Sequence, residues 1–251
     1  RLESTTNGIQ LAYLETGTTA GGVYASAGDG SITDAGTAFA DLNVLTNNLG
    51  LFASQNIGTS VDALEIDAVL LSADSDGSGG TFLLESNDVT VDTVTVNVVY
   101  GFTGSASGVD NESATQEDLR SAKHIVLESA DGSITINDGS DAQPYAVDAV
   151  GHILLSAQST GSTANLSLND VTVRNTDGMI TLRSVDDLTL TNSSVIAATA
   201  AQNITVFAGG NLVMSGATQS VIQSTNADIY LEIDGNAQTG PISADPPRIE
   251  T

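Results

Sequence analysis

Apolar and polar residues alternate along most of this chain in short runs. Ile134 and Ile136, Ile153 and Leu155, Leu166 and Leu168, Ile180 and Leu182, Leu188 and Leu190, Ile204 and Val206, Leu212 and Met214, and Ile229 and Leu231 each stand two apart with a different residue between. Period two with many β-branched residues predicts strands. Asp-Gly, Asn-Asp, Gly-Gly and Ser-Asn pairs separate the runs and supply turns. A start of the form x-Ile recurs at His152-Ile153, Met179-Ile180, Asn203-Ile204 and Asp228-Ile229, at intervals within 22–28 residues. Each interval holds two or three strands, more than the 8–12 residues of one sandwich strand and its turn.

A unit of that size without helix predicts one coil of a parallel β-helix, whose inward side chains are buried only when coils stack. The fold expected is all-β, a right-handed parallel β-helix or solenoid, with inward ladders of Val, Ile and Leu and with Asn, Ser and Thr laddering at corners. About ten coils at roughly 4.8 Å would make a rod near 48 Å long. A hairpin-built β-sandwich is the competing architecture.

Longer-range similarity adds a second period. Gly28–Asp34 resembles Ala130–Ile136, Leu49–Gln55 resembles Val150–Gln158, and Phe82–Val91 resembles Ile180–Leu190, at offsets near 100. The expected organisation is a single domain over 1–240, built of long repeats at about 8–100 and 123–235. They are joined by a Gly/Ser-rich insert at 101–122. Ser113 with Gln116 three residues on has the form of a capping box and predicts a short helix near 113–121. The Pro-bearing segment 241–251 reads as tail or linker, unable to extend a ladder.

Composition narrows the functional classes. Asp and Glu number 31 against 6 Lys and Arg, for a net charge of −25. That charge repels nucleic acid and anionic membrane. No apolar run approaches the roughly 20 residues of a membrane helix. Cysteine is absent, so there is no disulfide, thiolate site or cysteine nucleophile. No G-x-x-x-x-G-K-[ST] loop or G-x-S-x-G elbow occurs. The chain opens at Arg1 without a signal-like start, which suggests a piece of something longer.

At Gly30-Ser31-Ile32-Thr33-Asp34, at Asn47 to Thr59 and at Asp88-Val89-Thr90-Val91, the chain resembles the repeats of very large secreted bacterial exoproteins. These are the filamentous-haemagglutinin-like and autotransporter-passenger-like adhesins. The likeness covers most of residues 8–235. It implies a right-handed parallel β-helix, export to the cell surface or medium, an adhesive or matrix role, and no catalytic residues.

Three constellations carry candidate chemistry. Asp74-Ser75-Asp76-Gly77-Ser78-Gly79 has the alternate carboxylates and Gly turn of a calcium loop, and Glu85 stands at its twelfth position. Asp74, Asp76 and Glu85 are thus the candidate metal ligands, and calcium the one cofactor suggested. The alternative is a solvated turn. His124 and His152 lie 28 residues apart, one coil, and would either share a metal or stack as neutral rings. Asp186-Asp187 and Glu65-Ile66-Asp67 place carboxylates close together; on a strand the latter pair would repel or hold a cation rather than catalyse. The expected protein is a non-enzymatic extracellular rod. Its expected partners are further copies, head to tail, or a host or matrix surface. A carbohydrate-active β-helix enzyme and a calcium-dependent binding module are the alternatives.

Overall fold

The computed structural model describes every residue except 37–40, 102–108, 141, 144, 162, 201, 219, 226, 240–247 and 251. Among the described residues all regular structure is strand, and nearly all of it forms one parallel solenoid. The chain winds through three stacked ladders. The second ladder is the most regular. It runs through Ile9–Leu11, Ile32–Asp34, Asn56–Ile57, Gly80–Glu85, Ile125–Ser129, Ile153–Ala157, Ile180–Ser184, Ile204–Ala208 and Ile229–Ile233. Those nine rungs span eight steps, about 38 Å at roughly 4.8 Å each. The rod is shorter than ten coils because about one coil's worth of chain leaves it as a hairpin.

Registration explains why the recurrent isoleucines matter. Ile125, Ile153, Ile180, Ile204 and Ile229 are successive cross-strand neighbours. Leu127, Leu155, Leu182, Val206 and Leu231 form the next inward row. On the third ladder Val89, Ile134, Leu166, Leu188 and Leu212 do the same. On the first, Leu119, Val147, Val173, Val195 and Ile222 continue the wall. Ile134, Ile153, Ile180 and Ile204 all lie in one buried core, as period two on parallel strands requires.

The corners are built from small polar residues. Between the second and third ladders, Asp88, Ser133, Asn165, Asp187 and Asn211 each accept, through a side-chain oxygen, the backbone N–H of the equivalent residue one coil on, at 2.6–3.1 Å. Between the third and first ladders, Asp170, Asn192 and Gly216 occupy one stacked position with φ of 57°, 50° and 121°. Asp, Asn and Gly are the residues that tolerate that left-handed turn. A Cβ on Gly216 would lie 1.9 Å from Asn192 Oδ1.

Three features differ from the sequence expectations. First, no helix forms at 113–121. Val109–Gln116 instead pairs antiparallel with Val94–Gly101 in a hairpin. The segment has no apolar helical face, whereas the strand form buries Val94 and Val96 over a floor left flat by Gly22 and Gly50. Gln116 donates through Nε2 to the Leu51 carbonyl at 2.6 Å, so the residue expected to cap a helix ties the hairpin to the rod. The rest of the insert, 102–108, lies outside the described residues. Second, the long-range repeat is not one structural period. Phe82–Val91 and Ile180–Leu190 occupy the same ladders, but Ile32 stands on the second ladder and Ile134 on the third. Third, Arg248–Glu250 from the expected tail pairs in parallel with Val221–Gln223 and adds a rung; residues 240–247 lie outside the described residues.

Candidate functional site

The predicted calcium loop straddles the wall of the solenoid. Ala73 and Ser75 point inward, so Asp74 between them points outward, with exposed Asp76 beyond. Burial and the neighbouring Asp76 push the Asp74 carboxyl up to about 6, while Arg120 pulls it down. Glu85 belongs to the opposite face. Leu83 faces the core, and period two carries Glu85 inward with it, where it is fully buried. The structure therefore does not bring Glu85 to Asp74 and Asp76. Among the described residues no three His, Asp or Glu groups gather as metal ligands.

Glu85 instead fills a break in main-chain pairing. Leu64–Ile66 pairs with Leu83–Glu85, and pairing resumes at Leu70–Leu71 with Thr90–Val91. Across the gap the Glu85 carboxylate accepts the N–H groups of Ala68, Ser86 and Asn87 at 3.0–3.3 Å. Burial pushes its carboxyl up to about 8 against those three donors.

The two histidines stack with ring centroids 5.1 Å apart and planes 13° apart. They occupy the corner before the second ladder. His152 N–H donates to His124 Nδ1 at 3.0 Å, and Met179 N–H donates to His152 Nδ1 at 2.9 Å. An accepting Nδ1 puts the neutral ring's proton on Nε2, which leaves neither nitrogen a free lone pair for a shared metal. Asn203 repeats the device, accepting Asp228 N–H at 3.2 Å. Burial first, then the charges of His152 and Lys123, hold His124 below its ordinary value. The arrangement is a stacked corner ladder.

The paired carboxylates part company as well. Asp187 Oδ1 accepts both the backbone and the side-chain amide of Asn211, at 2.6 and 2.9 Å. Asp67 accepts from Asn87 Nδ2 at 3.0 Å. Glu65 has no such donor. It sits in the strand Leu64–Ser75, only 4% exposed, and among the described residues neither carboxylate oxygen has a hydrogen-bond partner. Asp34, 7% exposed at the end of Ile32–Asp34, also has one oxygen, Oδ2, without a partner among the described residues. Buried Asn43 links the two. Its Nδ2 donates to Asp34 Oδ1 at 2.6 Å and to the Leu11 carbonyl at 3.1 Å, and its Oδ1 accepts Glu65 N–H at 2.8 Å. Burial pushes the Glu65 carboxyl up, its own main-chain N–H pulls it partly back, and the negative charges of Asp34, Asp62 and Asp41 push it up again. Asp34 and Asn43 carried no signal in the local pattern, since their coming together depends on how a coil closes.

No family model matches the chain, and no curated protein or solved structure matches it.

Proposed function

We propose that this chain is a structural or adhesive segment of a large extracellular bacterial surface protein, working as a stiff rod or fibre. The observation that supports this reading most directly is the registration of apolar rows from Ile125 through Ile153, Ile180 and Ile204 to Ile229, in which each rung is buried by its neighbours. Bending such a rod opens several rows at once, so stiffness follows from packing. The rungs at Ile9–Leu11 and Ile229–Ile233 each pair with one neighbour in the second ladder. Open edges of that kind recruit strands. They suit contact with adjoining coils, with a second copy head to tail, or with a matrix surface through the acidic flanks.

The resemblance to filamentous-haemagglutinin-like and autotransporter-passenger-like repeats favours the same reading. Electron microscopy of the native material tests it. Rods or fibres with a 4.8 Å axial repeat are the expected result. Discrete globular particles that degrade a polysaccharide would overturn it in favour of a carbohydrate-active enzyme.

A further inference from the structure

We infer a calcium site at the corner where Asp34, Asn43 and Glu65 meet. The inference stands apart from the rod reading. Three carboxylate oxygens there, Asp34 Oδ2 and Glu65 Oε1 and Oε2, are buried without a donor among the described residues. Buried carboxylates that are neither paired nor hydrogen-bonded are costly. Asn43 does not relieve them. Its amide already serves Leu11, Asp34 Oδ1 and the Glu65 main chain.

Among the described residues the charges acting on Glu65 are all negative. Between Arg1 and Arg120 the sequence contains no Lys, Arg or His, and Arg1 is paired with Glu3. Asp41 and Asp62 deepen the negative potential instead of offsetting it. Compensation comes from a proton or from a cation in solution, and a divalent cation would serve both carboxylates at once. Asp41 is exposed and Asp62 half-buried, so the acidic corner extends to the surface.

The chemistry selects the ion. Carboxylate and amide oxygens with no nitrogen or sulfur donor suit a hard cation, and calcium accepts six to eight oxygens in irregular geometry. Since no three acidic groups converge, the ion takes Asp34 and Glu65 and completes its shell with water. Magnesium, which demands a regular octahedron, fits such a corner less well.

The test uses the whole chain, stripped of metal by chelation, and titrated with calcium chloride alone in a calorimeter at ionic strength held by NaCl. Binding of one calcium per chain is expected, with a rise in unfolding temperature beyond that produced by NaCl. Glu65→Gln and Asp34→Asn should each weaken binding at least tenfold, and Asp74→Asn should leave it unchanged. Glu65→Gln should also raise the unfolding temperature of the calcium-free chain, because it removes a buried unpaired charge. Absence of binding by the unmodified chain overturns the inference, as does undiminished binding by a folded Glu65→Gln chain or loss of binding with Asp74→Asn.

Discussion

Ile180 and Glu85 show what a single inward position demands. Ile180 is fully buried between Ile153 and Ile204. Ile180→Asp places a charge there with no partner and should cost about 4 kcal/mol or more, while Ile180→Val should cost about 1 kcal/mol. Urea unfolding of both variants checks the contrast. Glu85 occupies the same kind of position but is held by three backbone donors, and burial raises its carboxyl to about 8. Its folded pKa exceeds its unfolded value of 4.5, so the folded state binds the proton more tightly. That contribution is complete below pH 4.5 and is lost as pH rises through about 8. Asp74 acts in the same direction, between 3.8 and about 6. Unfolding temperature should therefore fall from pH 5 to pH 8. Glu85→Gln should flatten the fall, and a variant curve parallel to the unmodified one would refute this assignment.

At the scale of elements, corners and hairpin do different work. The polar corner between the second and third ladders satisfies one backbone N–H per coil through the side chain of the preceding coil. Asn165→Ala strips Asp187 N–H of its acceptor and should cost about 1–2 kcal/mol, read from the denaturant midpoint at constant slope. The hairpin instead covers an outer face. Its capping-box residues were legible, but a local signal worth a turn of helix was overridden by burial of Val94 and Val96 on a glycine floor. The histidine ladder was legible as spacing alone. Only the stacked backbone revealed that both Nδ1 atoms are already occupied.

For the whole molecule the governing quantity is charge. A net −25 on one narrow rod brings carboxylates closer than an unfolded chain would, and self-repulsion opposes folding. Salt shortens the reach of that repulsion to about 8 Å near 0.15 M. Thermal unfolding should shift upward with NaCl from 10 mM to 150 mM at neutral pH. An unfolding temperature insensitive to NaCl would mean that the carboxylates are spaced too widely to interact.

Period two, the x-Ile starts and the small polar residues ahead of them determined the solenoid, because each coil repeats the same local demand for an inward apolar pair and a tight corner. Glu85 facing inward was already written in its spacing from Leu83. What only the tertiary structure decided is where separate coils meet. Gly-Ser-Ile-Thr serves at two different corners, before Ile32 on the second ladder and before Ile134 on the third, so sequence likeness did not fix ladder position. Asp34, Asn43 and Glu65 converge because one coil closes onto the next, and a pattern read along a single strand holds no record of that closure.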